Sequence, residues 1–332
     1  MKYSKIVGLG HHVPDTVITN EYLTNLIDTT DEWIVERTGI KERRYIDHTK
    51  DTVANMAARA TRMALKRAGL TEKDIEFIVF ATITPDYFFP GSGVLLQREL
   101  GLEGIGALDI RNACSGFIYG LSVADQYIKT GAYKTVLVIG AEIQSTALDL
   151  TTRGRNTAVI FGDGAGAAIL QSSDKPGVLS THLHADGRYA EELYVKDPGS
   201  SRPHKERQPE QILDTSSFKV FMNGNQVFKH AVVRFMEVIN EALNANNLKK
   251  EDISLLVPHQ ANLRISQFIQ EKLGLTDDQV YNNIMRFGNT TAASIPIAMS
   301  EAFGEGKIKE NDLVCLAAFG SGFTWASSLI RW

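Results

Sequence analysis

The chain repeats itself at a fixed distance, and this repeat restricts the fold more than any other feature of the sequence. Residues 65–80, "LKRAGLTEKDIEFIVF", and residues 243–258, "LNANNLKKEDISLLVP", each have the pattern of a helix end, a polar turn and a strand. The two copies keep one register, since Ile75 and Ile253 lie 178 positions apart (253 − 75). Upstream of both copies, apolar residues recur at helical spacing. One supersecondary unit used twice predicts a duplicated architecture.

A second pair of segments repeats at nearly the same distance. "CSGFIYGLSVADQYIKTGAY" begins at Cys114, and "NTTAASIPIAMSEAFGEGKI" begins at Asn289. Gly131 and Gly306 close the two segments, and both pairs of positions differ by 175 (289 − 114 and 306 − 131). Each segment has the pattern of a helix that follows a strand. We therefore expect Cys114 and Asn289 at equivalent positions, where two central helices begin at one pocket.

Strand-like runs indicate two sheets. "KIVGL", "DIEFIVFATIT", "TVLVIGAE" and "GVLSTHL" are apolar or β-branched without clean alternation, which is typical of strands covered on both faces. We predict an α/β fold with helices between and outside two sheets, one half in residues 1–172 and the other in residues 173–332. Val195–Ser217 is rich in proline, serine and charge, and it is predicted to be an inserted surface loop.

Composition excludes several classes of protein. A hydrophobic share of 43% with a charged share of 22% is typical of a globular chain. The net charge of −4 leaves no basic excess for nucleic acid. No apolar run approaches the roughly 20 residues of a membrane span, and the N-terminus lacks a signal-peptide pattern. The two cysteines are too far apart in sequence to indicate a disulfide framework, so we predict a reduced, cytoplasmic setting.

Cys114 is the candidate nucleophile. It lies between small residues, Ala113 and Ser115–Gly116, which would leave space for an incoming carbonyl. The unpaired N–H groups of a helix start favour the thiolate, which is the reactive form. The alternative is a buried filler, because free cysteine is among the most buried residue types. Cys315, inside the strand-like "DLVCLAAFG", is interpreted as core.

His259 follows a buried strand in "SLLVPHQANLRI", at the edge where α/β proteins place their sites. A satisfied structural histidine is the alternative. His182 and His184, in "THLHAD", have the same-face spacing of a strand that could suit a metal. A third ligand is not evident nearby, so hydrogen bonding is the favoured role and no metal is predicted.

Asn289 follows Gly288 in "RFGNTTAASIP" and could simply cap a turn or helix. Its match to Cys114 favours a role in the site. An asparagine amide donates hydrogen bonds without changing its protonation state, which suits the stabilisation of an oxyanion.

"FGDGAGAAIL" (161–170) contains a weak match to a dinucleotide-binding pattern. A strand-like run follows it, not a helix whose N-terminus could hold pyrophosphate, so we interpret it as a tight turn between paired strands. What remains is a cysteine, a neutral histidine and an asparagine without a neighbouring carboxylate. A hydrolase would normally orient its base with such a group. This set of residues suits the stabilisation of an enolate in a site that excludes water. It therefore favours carbon–carbon bond formation from a thioester.

The chain resembles the β-ketoacyl-[acyl carrier protein] (ACP) synthase III family, the initiating condensing enzymes of bacterial fatty-acid synthesis, in the thiolase superfamily. The resemblance runs from Lys5 to Trp332 and is carried by "DEWIVERTGIKERR", "ACSGF", "FGDGAGAA", "VPHQANLRI", "GNTTAASIP" and "FGSGFTW". It implies a thiolase-like, duplicated five-layer α-β-α-β-α fold in a homodimer. It also implies an acyltransferase that condenses an acyl-CoA primer with malonyl-ACP, with loss of carbon dioxide, to give 3-oxoacyl-ACP. Acyl-CoA is then a substrate, and no cofactor is expected.

The resemblance also implies the roles of individual residues. Cys114 would carry the acyl group, and His259 and Asn289 would stabilise the enolate. The backbone N–H groups of Cys114 and Ser321 would bind the oxyanion. Many members of the family have glycine where Ser321 stands, and a backbone donor survives that change.

Further residues match the family's binding surfaces. Arg264 matches the contact with the acidic carrier protein, where charge attraction speeds encounter. Phe89, in "YFFPG", matches a residue that closes the partner's acyl pocket across the dimer. The nearby arginine in "TTRGRNTAV", Arg153, is an alternative to Arg155 at the CoA tunnel. The CoA contacts carried over are Thr29, Trp33, Arg37, Arg155 and Asn262.

Two alternatives stay open at this point. The same fold and cysteine could transfer an acyl group to a different acceptor, or condense two acyl-CoAs, in lipid or secondary metabolism. A non-catalytic partner subunit that only gates chain length should lack the nucleophile, so Cys114 counts against that alternative.

Overall fold

The structure is a computed structural model that describes residues 2–200 and 218–332. Within these residues the strands are β1 (Tyr3–His12), β2 (Thr16–Thr19), β3 (Glu42–Tyr45), β4 (Phe77–Ala81), β5 (Gly106–Ile110), β6 (Thr135–Glu142), β7 (Gly164–Ser173), β8 (Val178–Ala185), β9 (Leu193–Tyr194), β10 (Phe221–Met222), β11 (Leu255–Pro258), β12 (Leu313–Gly320) and β13 (Thr324–Arg331). The helices are α1 (Asn20–Thr24), α2 (Asp31–Thr38), α3 (Val53–Ala68), α4 (Ser92–Glu99), α5 (Gly116–Lys129), α6 (Arg155–Ala158), α7 (Gly224–Ala245), α8 (Leu263–Leu273), α9 (Ile284–Phe287) and α10 (Ser294–Gly304).

Two sheets of the same topology form the scaffold. The first has the order β1-β7-β6-β4-β5, and the second has the order β8-β13-β12-β11. In both sheets the first two neighbouring pairs are antiparallel and the next pair is parallel. A parallel bridge from Leu256 to Val280 occupies the place that β5 has in the first sheet. The duplication predicted from the repeat is therefore confirmed.

Helices separate and cover the sheets in five layers. The central helices α5 and α10 contact strands of both sheets, and their side chains share one buried cluster with them. The helices α3 and α4 cover the outer face of the first sheet, and α7 packs on the outer face of the second beside α8. The α5 and α10 sequences are apolar around most of their circumference because sheets lie on both sides of them. The predicted α-β-α-β-α fold is confirmed.

Several local predictions also hold. Strands β1, β4, β6 and β8 overlap the four strand-like runs that the sequence shows. The glycine-rich segment leads into β7, which pairs with β1 and β6, so a strand follows the turn as predicted. Cys315 is buried in β12 as core. Of the predicted insertion Val195–Ser217, residues 201–217 lie outside the described residues.

The repeat of 178 positions also includes the starts of the two central helices. This corrects the expectation that Cys114 and Asn289 occupy equivalent positions. Short 3-10 turns at Ala113–Ser115 and Thr291–Ala293 precede α5 and α10, and their first residues differ by 178 (291 − 113). The structural counterpart of Cys114 is therefore Ala292, and Asn289 lies three residues earlier. The sequence match failed because α10 has 11 residues and α5 has 14, so alignment from the closing glycines shifts the register.

The two helix starts lie side by side. A Cβ atom built on Gly116 would come within 3.5 Å of the Ala292 Cβ. Both turns open on a non-glycine residue in the left-handed region, with φ of 43° at Ala113 and 52° at Thr291. Such a conformation costs about 1–2 kcal/mol per residue, so the surrounding packing must hold it.

Gly140, in β6, is predicted to be essential for this packing. A Cβ on Gly140 would lie 2.2 Å from the Ala292 carbonyl oxygen. We expect Gly140→Ala to lower the free energy of unfolding by about 2 kcal/mol, because the turn before α10 would have to move. Denaturant unfolding of this variant and of Gly187→Ala, whose Cβ would meet nothing within 4 Å, measures the difference. Equal stability of the two variants would contradict the prediction.

Candidate active site

Cys114, His259 and Asn289 line one cavity with about 680 Å³ of empty volume. They come from the turn before α5, the loop after β11 and the turn before α10. The structure thus brings together the three residues singled out from the sequence. Among the described residues no carboxylate lines this cavity, and its other walls are mainly apolar, including Leu193, Met222, Val227, Phe228, Phe235 and Ile265.

The Cys114 sulfur is a thiol in the resting site. Burial is the main cause that raises the pKa of Cys114 to about 12, and the charge of Glu142 is the second cause. Backbone hydrogen bonds from Ser321 and Cys114 itself to the sulfur lower this pKa, but they do not offset burial. The N–H groups near the helix start thus favour the thiolate in the predicted direction, but desolvation has the larger effect on the pKa of Cys114.

His259 is buried and neutral. Its Nδ1 lies 2.6 Å from Ser294 Oγ, at the start of α10, and Ser294 Oγ also accepts the Gln260 N–H at 3.3 Å. Burial lowers the pKa of His259 to about 3. The other ring nitrogen, Nε2, is buried without a hydrogen-bond partner among the described residues. A buried nitrogen without a partner is costly, which is consistent with a group kept for a substrate.

Asn289 is fixed so that its amide NH₂ group remains for a ligand. Its Oδ1 accepts the Thr291 N–H at 2.8 Å, and its backbone N–H donates to the Ile160 carbonyl at 2.9 Å. The turn-capping role is therefore present, and it leaves the NH₂ group as the remaining donor. The NH₂ group donates no hydrogen bond within residues 2–200 and 218–332.

The turn after β12 places backbone donors beside the sulfur. A Cβ on Gly320 would lie 2.7 Å from Cys114 Sγ, so only glycine allows this approach. The next residue, Ser321, uses its backbone at the sulfur, while its hydroxyl donates to the Leu193 carbonyl at 2.5 Å. The serine at this position thus ties the turn to a wall of the cavity.

A second cluster lies at the surface, around Trp33. Thr30 caps the start of α2, where its hydroxyl accepts the Trp33 N–H at 3.1 Å. Trp33 and Arg37 are four residues apart in this helix and therefore lie on one face. The guanidinium carbons of Arg37 and Arg155 lie 4.9 Å and 4.8 Å from the centre of the Trp33 ring. Arg153 instead donates to Asp149 at 2.7 Å, so the structure puts Arg155 at the tryptophan.

Asn262 connects this cluster to the cavity. Its side chain caps α8 by accepting the Arg264 N–H at 2.9 Å and donates to the Arg37 carbonyl at 2.9 Å. Asn262 also lines the cavity. Thr29, in the loop before α2, has a buried Oγ1 without a partner among the described residues.

The two remaining predicted residues lie outside the cavity. The guanidinium carbon of Arg264 is exposed at 6.0 Å from the ring centre of Phe228, a wall residue. Phe89 is 81% exposed, beside Tyr87 and Phe88, in the loop after β4.

Three contributions escaped the sequence analysis. Ser294 orients His259, Gly320 admits the sulfur, and Glu142 is a buried carboxyl group near Cys114. A signal was available for Glu142, since a charged residue ends an otherwise apolar strand. The other two depend on contacts between segments far apart in sequence.

His182 and His184 are hydrogen-bonded, as favoured from the sequence. His182 Nε2 lies 3.0 Å from Ser180 Oγ, and His184 Nε2 lies 2.6 Å from a carboxylate oxygen of Glu241. No cluster suited to a metal ion occurs in the part of the chain that the structure describes. In the same residues, no helix combines the length and the apolar character needed to cross a membrane.

Comparison with known proteins supports this picture. Residues 108–187 match the family described as 3-oxoacyl-[acyl-carrier-protein] synthase III, and residues 243–332 match its C-terminal part. The chain is 48% identical over 329 residues to β-ketoacyl-[acyl-carrier-protein] synthase III from Serratia proteamaculans, with 99% of each chain covered. The corresponding protein from Escherichia coli K12 is 46% identical, with 99% of each chain covered. The crystal structure of 3-oxoacyl-[acyl-carrier-protein] synthase III from Aquifex aeolicus VF5 superposes with a TM-score of 0.90 at 42% identity, covering 99% of this chain and 100% of that one.

The five-layer fold and the cavity with Cys114 define an acyl-transferring condensing enzyme of the thiolase type. Such a site needs a nucleophile, uncharged hydrogen-bond donors and walls that keep water out. The chain belongs to the 3-oxoacyl-[acyl-carrier-protein] synthase III family, and the resemblance seen in the sequence is confirmed.

Ser294 is predicted to matter through His259. We expect Ser294→Ala to lower the rate of condensation about tenfold or more, because Nδ1 loses the partner that fixes the ring. Steady-state assays of 3-oxoacyl product measure this rate. Ser328→Ala, which removes a buried hydroxyl without a partner among the described residues, is the matched control and should stay near wild type. Similar losses in both variants would refute the specific role of Ser294.

Proposed function

We propose that this enzyme initiates fatty-acid synthesis by condensing an acyl-CoA primer with malonyl-ACP to give 3-oxoacyl-ACP. The observation that carries the proposal is one mainly apolar cavity that holds a thiol, a neutral imidazole and a carboxamide, with no carboxylate among the lining residues that the structure describes. Neutral donors in a water-poor cavity stabilise an enolate without protonating it.

Cys114 would carry out the first step. Its sulfur attacks the thioester carbonyl of acyl-CoA, the bond from that carbon to the CoA sulfur breaks, and the thiol proton ends on the departing CoA. The negative oxygen of the intermediate would bind the backbone N–H groups of Cys114 and Ser321, which already meet at the sulfur. Each such donor typically contributes about 3 kcal/mol of transition-state stabilisation.

His259 and Asn289 would act in the second step, after malonyl-ACP binds. Their Nε2–H and NH₂ groups would donate to the malonyl thioester oxygen as the bond to the carboxylate breaks and carbon dioxide leaves. Ser294 supports this role of His259. Since Ser294 Oγ accepts from Gln260, its own O–H can donate to Nδ1, which leaves the ring proton on Nε2.

The third step forms the new carbon–carbon bond. The enolate carbon attacks the acyl-Cys114 carbonyl, and the oxyanion returns to the two backbone donors. Collapse of this intermediate breaks the carbon–sulfur bond, releases 3-oxoacyl-ACP and leaves the cysteine sulfur to regain a proton. The three steps use only the two substrates and residues of the protein, so we propose that no cofactor takes part.

The surface cluster would hold the CoA head group. Trp33 with Arg37 and Arg155 offers an aromatic face and two cations, which suits an adenine ring and its phosphates. Asn262 and Thr29 would contact the part of the CoA molecule that runs from its head group to the cavity. The Asn262 side chain already hydrogen-bonds the Arg37 carbonyl and the Arg264 N–H. Its contact with CoA would therefore use the amide hydrogen or the oxygen lone pair that these two bonds leave.

Arg264 would meet the acidic carrier protein at the mouth of the cavity.

A homodimer is supported by the edge of β5 that has no partner strand among the described residues, and by the exposed aromatic side chains of Tyr87, Phe88 and Phe89 next to it. A second copy that covers this surface would place Phe89 against the partner's acyl pocket. We propose a cytoplasmic setting because Cys114 and Cys315 are both free thiols.

Acyl transfer to a different acceptor is the competing function. Incubation of the purified protein with acetyl-CoA and malonyl-ACP distinguishes the two. Carbon dioxide and acetoacetyl-ACP are expected, whereas acyl transfer without carbon dioxide would favour the alternative.

The site variants should separate the two half-reactions. Cys114→Ser should lose acylation, because an unassisted hydroxyl is a far weaker nucleophile at neutral pH. His259→Ala should still form the acyl-enzyme but fail to release carbon dioxide. Intact-protein mass spectrometry after acyl-CoA addition, with Cys114→Ala as the blank, measures the first reaction. Loss of acylation in His259→Ala would show that the role given to His259 is wrong.

Trp33 should affect the binding of the CoA substrate. We expect Trp33→Ala to raise KM for acetyl-CoA about tenfold and to change kcat less, because a cation–π and stacking surface contributes about 1–2 kcal/mol. Initial-rate kinetics on acetyl-CoA test this, with Tyr22→Ala as a control for loss of an exposed aromatic ring. An unchanged KM would remove Trp33 from the binding site.

A further inference from the structure

Arg43, in β3, carries a fully buried guanidinium that the steps above do not use. Its side chain is inaccessible to solvent, and burial lowers the pKa of Arg43 to about 10, so it stays charged at neutral pH. Within the described residues its hydrogen bonds all go to uncharged oxygen atoms, and its Nε has no partner. A buried charge without an ion-pair partner is costly, so the segments that Arg43 joins indicate why it is there.

Arg43 joins two segments directly. Its Nη1 donates to Asn20 Oδ1 at 2.7 Å and to the Ile18 carbonyl at 3.3 Å, where β2 leads into α1. Its Nη2 donates to the carbonyl of Val159, the residue that follows α6, at 2.7 Å. The two prongs of one planar guanidinium therefore hold the start of α1 and the end of α6 in a fixed relation.

Asn20 extends this contact to α2. Its side chain is buried, and its Nδ2 donates to Asp31 Oδ1 at 2.7 Å and to the Ile40 carbonyl at 2.8 Å. Asp31 is the first residue of α2, and Ile40 follows the end of that helix. Asp31, Asn20, Arg43 and Val159 thus form a continuous chain of three hydrogen bonds, each 2.7 Å long, which we call the α2–α6 link.

The two helices that the α2–α6 link joins carry the surface cluster. Trp33 and Arg37 belong to α2, and Arg155 is the first residue of α6. The contact of the Arg155 guanidinium with the Trp33 ring, at 4.8 Å, therefore crosses from one helix to the other. A cation–π contact depends on where the cation lies over the ring, so a shift of either helix would weaken the cluster.

We propose that Arg43 and Asn20 are positioning residues for the CoA substrate: through the α2–α6 link they hold Trp33 and Arg155 at the spacing that binds the head group. The inference rests on the proposed function, because CoA is the ligand assigned there to the surface cluster. Both residues are buried, so neither is exposed to that ligand and each acts through the helices.

Two substitutions break the link in different places. Asn20→Asp keeps an oxygen for Arg43 but loses both donors of the amide, and it faces Asp31 with a second carboxylate. Arg43→Lys keeps the charge but replaces the two-pronged donor by a single ammonium group, which does not span Asn20 and Val159. If Arg43→Lys does not fold, Asn20→Asp carries the test, because its carboxylate gives the buried guanidinium an ion-pair partner.

The first test needs no ligand and follows the Trp33 ring. Trp33 is the single tryptophan once Trp325→Phe and Trp332→Phe are introduced. We expect each link variant to raise the Stern–Volmer constant for acrylamide quenching of Trp33 fluorescence about twofold, because Arg155 no longer covers the ring. Unchanged quenching in the link variants would overturn the proposal.

The second test measures CoA binding by isothermal titration calorimetry. We expect Asn20→Asp to raise Kd for CoA about fivefold, through loss of the ordered cation–π cluster. In a Trp33→Ala background the same substitution should change Kd by about twofold or less, because two residues that act through one contact are not additive. Full additivity would show that Asn20 acts elsewhere than on Trp33, and it would overturn the proposal.

Arg67→Lys is the control. Arg67 Nη1 donates at 2.9 Å both to the Leu9 carbonyl and to Ser300 Oγ, so its guanidinium also joins two segments, away from the surface cluster. Its Kd for CoA and its Trp33 quenching should stay within about twofold of wild type.

The outcomes separate this inference from the proposed function. A purely structural role for Arg43 and Asn20 predicts a loss of stability with the Kd and quenching of wild type, and that result overturns the inference alone. A wild-type protein that does not bind CoA would refute the proposed function, while the quenching test would still decide whether the α2–α6 link orders Trp33.

Discussion

The contact between two helix starts is the constraint on which the rest of the site depends. The turns before α5 and α10 pack against each other, and each begins with a non-glycine residue in a left-handed conformation. Glycine at position 140 allows the close approach of Ala292. Because each start comes from a different half of a duplicated scaffold, Cys114 and Asn289 reach one cavity although they lie far apart in sequence. A shift of either turn would separate Cys114 from Asn289 in the cavity that both line.

Charge is largely excluded from the reacting centre, and this exclusion determines its chemistry. Burial keeps Cys114 as a thiol and His259 as a neutral imidazole, and an amide completes the set. The unsatisfied His259 Nε2 and the disfavoured thiolate are costs of this arrangement in the resting state. They become favourable once substrate oxygens and developing negative charge enter a cavity whose donors are already oriented.

Recognition and chemistry are placed in different surroundings. Trp33 and its two arginines are near solvent, where cation–π contacts can hold an anionic head group without a large desolvation cost. The cavity walls are mainly apolar, which would limit the access of water to an enolate formed there. Asn262 joins the two regions, because its side chain caps α8 and also bonds the Arg37 carbonyl.

The sequence by itself determined the duplication, the buried strands, the strand after the glycine-rich turn and the residues of the cavity, because periodicity and local motifs carry that information. It misplaced the counterpart of Cys114 by three residues, since helix length differs between the halves and closing glycines report only where a helix ends. Only the tertiary structure decided that Cys114 rests as a thiol, that Ser294 orients His259 and that Arg155 rather than Arg153 meets Trp33. Each of these depends on burial and on distances between segments far apart in the chain, which local sequence patterns do not encode.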